Sequence, residues 1–178
     1  MNDNPMKSMV REFHEAFGVP VNDEPQVAIG KDRMFLRSSL ILEEANESIE
    51  AMKCVILEFG DKVGETMQAE FKLEEIADGL ADLLYVTFGA CLEFGIPIEE
   101  VFAEVHRSNM SKMWSTREVD EAQEIGSNPS ELTFTECKTG NERPFYIAKR
   151  ADGKIIKSPS YSPADIQKVI QNHGKNGK

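Results

Sequence analysis

The chain has 178 residues, of which 40% are hydrophobic, and this fits one domain with a packed core rather than two large domains. Its formal net charge of −11 argues against general binding to nucleic acids or anionic membranes, which depends mainly on Lys and Arg. The charge is uneven: residues 1–137 hold 11 Lys and Arg against 28 Asp and Glu, whereas residues 138–178 hold 9 against 3. A small polyphosphate that arrives with its metal is compatible with this balance.

The apolar residues of the N-terminal two thirds recur at helical spacing, with glycine and proline between the runs. This pattern predicts four to five helices, over residues 6–17, 32–59, 67–94, 97–113 and, for a shorter one that Ser115 or Thr116 caps, about 115–125. Gly79 and Gly89 lie inside the third, where each costs about 1 kcal/mol relative to Ala. A close approach of another helix or a ligand is the usual reason to keep such a glycine.

Past Gly126 the pattern changes to β-branched and aromatic runs around an Asp152-Gly153 turn signal. It predicts a small β-hairpin, a short helix that Ser162 caps with Pro163 in its first turn, and a disordered tail over 173–178. The expected fold class is therefore all-α. A helical bundle core occupies residues 1–125, and a C-terminal extension over residues 126–178 contains the hairpin.

The cysteines and the apolar runs bear on the cellular location of the protein. Cys54, Cys91 and Cys137 lack the C-x-x-C spacing of a zinc knuckle and favour no disulfide framework. The N-terminal segment has no apolar signal core, and the longest apolar run, about residues 83–92, is shorter than the ~18 residues of a membrane span. We therefore expect a soluble, cytoplasmic protein.

Carboxylates interrupt the apolar stretches of the two long helices. They form two clusters, Glu43-Glu44-x-x-Glu47 on the first and Glu75-x-x-Asp78 with Asp82 on the second. Residues three and four apart share one helix face, and a carboxylate on a buried face is costly unless something compensates it. Oxygen ligands without His or Cys nearby favour Mg²⁺ or Mn²⁺ over Zn²⁺, and Mg²⁺ suggests a phosphate substrate.

In this order, the two clusters and a third helix that ends VHRSNMSKM resemble the all-α NTP pyrophosphatase superfamily, which includes MazG-like proteins and dimeric dUTPases. The likeness is most evident with phosphoribosyl-ATP pyrophosphohydrolase-like proteins, through VREFHEAFG, LILEEANE, EIADGLADLLYVTFG, EVHRSNMSK and RADGKIIKSPSY. It implies Mg²⁺-dependent hydrolysis of a nucleoside triphosphate between its α and β phosphates, with Mn²⁺ as a substitute. Family tendency favours dUTP or another pyrimidine dNTP. The alternatives are phosphoribosyl-ATP hydrolysis and a non-catalytic acidic interaction module.

The resemblance also implies roles for individual residues. Metal ligands are implied at Glu44, Glu47, Glu75 and Asp78, and Asp82 is either a ligand of a second metal or a group that supports the ligands. Glu43 is a further ligand or the group that orients the attacking water, so Glu43 and Glu44 are the catalytic pair. Substrate contacts are implied at Arg107, Asn109, Lys112, Lys154, Lys157 and Tyr161. The implied assembly is a homodimer or a dimer-based tetramer, without nucleic acid or membrane partners.

Overall fold

The computed structural model describes residues 4–59, 67–124, 132–137 and 144–176. Within these ranges the chain forms six helices and four strands. In chain order they are α1 (Pro5–Ala16), α2 (Lys31–Phe59), α3 (Met67–Phe94), α4 (Ile98–Met110), β1 (Trp114–Ser115), α5 (Thr116–Glu124), β2 (Leu132–Cys137), β3 (Phe145–Arg150), β4 (Ile155–Ile156) and α6 (Ile166–Asn176). Contacts divide the chain into unit 1, residues 1–99 with 173–178, and unit 2, residues 100–172.

Helices α2 and α3 form a long antiparallel pair in unit 1. Arg37 near the start of α2 bonds to Glu93 near the end of α3, whereas Ser48 further along α2 lies beside Gly79. A Cβ atom at Gly79 would lie 3.1 Å from Ser48 Oγ and 3.2 Å from Ser48 Cα. The predicted reason for a glycine inside this helix, a close helix approach, is confirmed.

The loop between α1 and α2 covers the C-terminal end of α3. The backbone N–H groups of Asn22 and Gln26 donate to the carbonyls of Leu92 and Phe94, each at 2.9 Å. Gly95 has a φ of +64°, and a Cβ atom there would overlap the Glu24 carbonyl. The loop therefore satisfies helix-end carbonyls that otherwise lack partners, and glycine makes its close approach possible.

Unit 2 contains a four-stranded antiparallel sheet. β3 pairs with β2 along its length, and β1 and β4 also pair with β3. Trp114, Val119 and Ala148 form the buried centre, where Trp114 Nε1 donates to the Ile156 carbonyl at 3.1 Å. The turn between β3 and β4 contains Gly153 at φ +82°, which confirms the predicted hairpin.

Two helix ends show how side chains fixed the boundaries. Ser115 and Glu118 form a capping box at α5, because Ser115 N donates to Glu118 Oε2 at 2.7 Å and Glu118 N donates to Ser115 Oγ at 3.4 Å. The predicted Ser162 cap of the last helix is wrong: α6 begins at Ile166, and Asp165 accepts a hydrogen bond from Lys168 N at 3.0 Å. Ser162 N instead donates to Ser111 Oγ at 3.0 Å. α6 continues to Asn176, into the tail for which disorder was predicted.

The expected fold class, an all-α core with a small β-containing C-terminal part, is confirmed. The predicted division at residue 125 stays a prediction, and β1, α5 and β2 all belong to unit 2. By length and composition, no single helix of the described ranges could cross a membrane; α3 and α4 pass that test only together, as a bent pair.

Candidate active site

The contact between Ser48 and Gly79 brings the two carboxylate clusters next to each other. Glu44 lies one turn before Ser48 on α2, and Asp78 and Asp82 lie on either side of Gly79 along α3. Glu44 is half-buried, whereas the other five carboxylates, Glu43, Glu47, Glu75, Asp78 and Asp82, are exposed. The hydroxyl of Ser48 donates to the Glu44 carbonyl at 2.8 Å, so this buried side chain has an internal partner.

The pKa of Glu44 reflects the charges of the carboxylates around it. Its pKa lies above its usual range, first because its surroundings remove water and then because Glu47, Asp82, Glu43 and Asp78 repel its negative charge. Two of these four neighbours belong to α2 and two to α3. The largest charges acting on Glu44 are thus all negative, and a cation at this place would remove the repulsion.

The donor set suits Mg²⁺ or Mn²⁺, because it consists of carboxylate oxygens. Among the residues that the structure describes, no three Asp, Glu, His or Cys side chains converge closely enough to form a finished metal site. Glu43, Glu47, Asp78 and Asp82 lie near enough to Glu44 to raise its pKa, without meeting at one point. These four side chains are exposed, so they have room to turn toward a cation.

A second charged cluster of unit 1, which the sequence patterns did not reveal, is buried. Glu93 is 0% exposed and accepts hydrogen bonds from Arg33 Nε at 3.0 Å and Arg37 Nε at 2.7 Å. Burial disfavours its charged form, but the two arginines outweigh that effect and hold the pKa of Glu93 below its usual range. Glu93 on α3 and its two arginines on α2 thus form a hydrogen-bonded cluster that holds the two helices together.

His14, at 2% exposed, completes this buried cluster. Its Nδ1 lies 3.0 Å from the Pro20 carbonyl, which only accepts, so Nδ1 carries the proton. Its Nε2 lies 3.3 Å from Arg37 Nη2, which only donates, so Nε2 accepts and the imidazole is neutral. Burial lowers the pKa of His14 and the nearby Arg37 lowers it further, while the Pro20 bond opposes them.

In unit 2, Arg107, the first of the implied substrate contacts, is already bonded to other groups of the chain. Arg107 donates to both carboxylate oxygens of Glu104 at 2.8 Å and to the Pro163 carbonyl at 3.0 Å. The Arg107 hydrogen bonds and the Asp165 N–H bond lower the pKa of Glu104 to about 2. Arg107 therefore holds the segment before α6 against α4.

Asn109, Lys112, Lys157 and Tyr161, which the resemblance implied as substrate contacts, form a group. Lys112 Nζ donates to Asn109 Oδ1 at 2.7 Å, and Lys157 Nζ lies 4.0 Å from the centre of the Tyr161 ring. A hydrogen bond from Ser108 and the charges of Lys157 and Lys112 lower the pKa of Tyr161. Lys154 lies apart, exposed in the turn between β3 and β4. Lys157 and Lys112 thus both lie near Tyr161, and two neighbouring cations suit an anion.

The model of the phosphoribosyl-ATP pyrophosphohydrolase family matches residues 10–109, more than half of the chain. The chain belongs to this family. Its members are hydrolases that act on nucleotide anhydride bonds, so the chain is a nucleotide pyrophosphohydrolase. The comparison with curated proteins found no match. The family region contains both carboxylate clusters together with Arg107 and Asn109, whereas Lys112, Lys154, Lys157 and Tyr161 lie beyond it.

Proposed function

We propose that this pyrophosphohydrolase cleaves the α–β phosphate bond of a (d)NTP, with dUTP or another pyrimidine dNTP as substrate, in a Mg²⁺-dependent reaction. The products are a nucleoside monophosphate and pyrophosphate. Family membership supports the class of reaction. The raised pKa of Glu44 among four carboxylates from two helices is the observation that supports a divalent cation.

Glu44, Glu47, Glu75 and Asp78 would hold the cation, and Asp82, whose charge acts on Glu44, would join or support them. Mg²⁺ or Mn²⁺ would neutralise phosphate charge and lower the pKa of a bound water. Glu43, exposed on the same helix, accepts a hydrogen bond from the attacking water and fixes its direction. The contribution of these side chains is positioning and preorganised charge.

The basic side chains of unit 2 contribute contacts to the substrate. Lys112 and Lys157, together with Asn109 and Tyr161, offer cations and hydrogen-bonding groups for a phosphate and a sugar. Arg107 is already bonded to Glu104, so a substrate phosphate must compete with that carboxylate. Lys154 is exposed at its turn and so is accessible to a phosphate.

A homodimer or dimer-based tetramer is part of the proposal. Both helices of the α2–α3 pair expose large apolar side chains, among them Phe35 at 74%, Leu42 at 62% and Leu84 at 49%. Scattered exposed apolar residues are ordinary, but a series along two neighbouring helices favours association. Sedimentation of the wild type and of Leu42→Lys tests this point, because a charge on that surface should shift the chain toward the monomer.

Phosphoribosyl-ATP is the second candidate substrate, and the name of the matching family favours it. The same carboxylates and the same bond between α and β phosphates would serve that reaction. Most of unit 2 lies beyond the family match, and this additional part favours a nucleotide other than phosphoribosyl-ATP. The two candidates differ in substrate and share the chemistry.

The deciding experiment measures pyrophosphate and monophosphate release from a panel of NTPs and dNTPs and from phosphoribosyl-ATP, with Mg²⁺ or Mn²⁺. We expect metal-dependent cleavage of a pyrimidine dNTP, and loss of it in Glu47→Ala with Glu75→Ala. Preferential cleavage of phosphoribosyl-ATP would replace the first candidate with the second. Cleavage of neither class would contradict the proposal.

A further inference from the structure

Three aromatic side chains of unit 1 form an exposed cluster at the C-terminal end of α1. The rings of Phe13 and Phe17 are stacked with their centroids 4.3 Å apart, and the ring of Tyr85 on α3 meets Phe13 edge to face at 5.7 Å. All three side chains are exposed, Phe17 by 71%. Single exposed apolar residues are ordinary, but aromatic rings that form a continuous exposed patch indicate a place where something binds. We call Phe13, Phe17 and Tyr85 the aromatic platform.

We propose that the aromatic platform binds the base of the nucleotide by stacking. The inference rests on the proposed function and adds to it the residues that hold the part of the substrate that does not react. The platform and both carboxylate clusters belong to unit 1, so the base and the reacting phosphates would bind to the same unit of the chain.

The first argument is the position of the platform along α3. At spacings of four, three and four residues, this helix carries Asp78, Asp82, Tyr85 and Gly89. Residues at these spacings share one helix face. Helix α1 covers this face at Gly89, where an added Cβ atom would lie 3.1 Å from His14 Nε2, and it contacts Tyr85. The next positions, Asp82 and Asp78, are exposed. The platform therefore lies where the cover of α1 ends and the carboxylates begin.

The distance from the platform to the carboxylates is short. Tyr85 follows Asp82 by three residues, a rise of about 4.5 Å along the helix axis. The side chain of a helical residue leans over the preceding turn, which for Tyr85 is the turn that contains Asp82. The charge of Asp82 in turn acts on Glu44. A sugar and a phosphate can span the step from the platform to the proposed metal ligands.

The second argument is that the platform is held in place. Val10 and His14, four residues apart, are the buried residues of α1, and Phe13 and Phe17 repeat that spacing on an exposed face. His14 Nδ1 donates to the Pro20 carbonyl at 3.0 Å, and Phe17 N donates to the Phe13 carbonyl at 3.0 Å. A surface that is already ordered loses little conformational freedom when a ligand binds.

The third argument is charge, which selects the base over other groups. The neighbouring positions on α3 are carboxylates, Asp82 and Asp78, and they repel a phosphate that has no metal. A base is neutral and planar, and its faces stack on aromatic rings whichever base it is. The base fits the platform, and the phosphates attached to it reach the carboxylates together with the cation.

The test measures affinity and so does not depend on hydrolysis. Equilibrium dialysis with Mg²⁺ compares the non-hydrolysable α,β-imido analogues of dUTP and dATP with imidodiphosphate, which has no base. Phe17→Ala should weaken the binding of both analogues about tenfold, because stacking accepts either base, and leave imidodiphosphate unchanged. The matched control is Phe102→Ala, because Phe102 on α4 is 70% exposed, and this variant should bind all three ligands like the wild type.

Two further variants separate stacking from a structural effect. Phe17→Trp keeps an aromatic ring, so it should keep its affinity, and the dUTP analogue should quench its added fluorescence. The wild type, whose single tryptophan is Trp114, supplies the background signal. Tyr85→Leu removes the ring that α3 contributes and should also weaken the binding of both analogues. Melting curves identify a variant that fails to fold, and the other substitution then decides.

The outcomes separate this inference from the proposed function. Cleavage of a triphosphate by the wild type, with unchanged analogue affinity in Phe17→Ala and Tyr85→Leu, overturns the platform as the base site and leaves the reaction standing. Weaker analogue binding in both variants of a protein that cleaves no triphosphate supports the platform and rejects the proposed reaction. An equal loss of imidodiphosphate binding, or a shift of Phe17→Ala toward the monomer in sedimentation, overturns the assignment to the base. Absence of analogue binding to the wild type overturns both proposals.

Discussion

The α2–α3 pair carries two groups of charges that differ in how they are compensated. At one end, Glu93 is fully buried and Arg33 and Arg37 bond to it. Further along the same helices, Glu44 is half-buried and its strongest charged neighbours are all carboxylates. The first group is compensated within the helix pair and stabilises the fold, whereas the charges that act most strongly on the pKa of Glu44 are all negative. Unbalanced charge, rather than charge itself, therefore distinguishes the Glu44 end of the helix pair, where we propose the metal site.

The largest expected effect is a loss of stability when the buried charge of Glu93 is removed. Glu93→Gln keeps the shape of the side chain but leaves two arginines without a counter-charge, and breaking such a buried pair typically costs about 3–5 kcal/mol. Urea denaturation should show this loss in the free energy of unfolding. Arg11→Gln, which removes an ion pair with the exposed Asp23, is the control and should cost less than about 1 kcal/mol. Equal losses in the two variants would contradict the structural role of Glu93.

The next effect concerns activity. Glu47→Gln should lower kcat/KM by about a hundredfold or more, because even an outer-shell partner of a metal ligand typically contributes 10–100-fold. Its melting temperature should stay close to that of the wild type, since Glu47 is exposed. The matched control is Glu50→Gln, on the same helix and paired with Lys53 at 2.7 Å, which should retain activity. An equal loss in both variants would show only that α2 tolerates no change.

The buried cluster also predicts how stability depends on pH. Because the pKa of His14 is lowered in the fold, the unfolded chain takes up a proton first, and stability should fall as pH drops below about 6.5. The lowered pKa of Glu93 predicts a further loss that begins only below its ordinary value of 4.5. Unfolding free energies measured from pH 8 to 4 should show the first loss in the wild type. His14→Gln should remove it, and the exposed His106→Gln serves as the control.

The smallest expected effect is a gain in stability, on substitution of Glu44. Loss of water and four carboxylates raise the pKa of Glu44, so its contribution to stability is present below its ordinary pKa of 4.5 and is lost as pH rises through the higher folded value. At neutral pH, without divalent cations, Glu44→Gln should therefore raise the melting temperature slightly. Mg²⁺ should raise it in the wild type and have less effect in the variant. A lower melting temperature in metal-free Glu44→Gln would contradict repulsion at this end.

The sequence predicted the long helices because apolar periodicity and the terminal glycines are local signals. It also predicted the hairpin from Asp152-Gly153 and a cap of α5 at Ser115 or Thr116, of which Ser115 is the cap. The cap of α6 was wrong because Ser162 faces a competing partner, Ser111, that is distant in sequence. The pairing of β3 with β2 likewise depends on contacts that no local pattern encodes.

For the site, spacing alone grouped the carboxylates, since helix geometry places residues three and four apart on one face. The structure adds that Gly79 permits the approach of Ser48, which brings the two groups together. The cluster of Glu93 with Arg33 and Arg37 was missed, although a single acid within the apolar run 83–94 was a usable signal. Their partners lie on different helices, and the sequence does not show which charges meet.

The most direct test of the unbalanced carboxylates is calorimetric titration of the metal-free protein with Mn²⁺ and Mg²⁺, in the wild type, Glu47→Gln and Glu50→Gln. We expect saturable binding in the wild type and in Glu50→Gln, and at least about tenfold weaker binding in Glu47→Gln. Absence of saturable binding in the wild type, or equal affinity in all the proteins, would contradict a metal site on the α2–α3 pair.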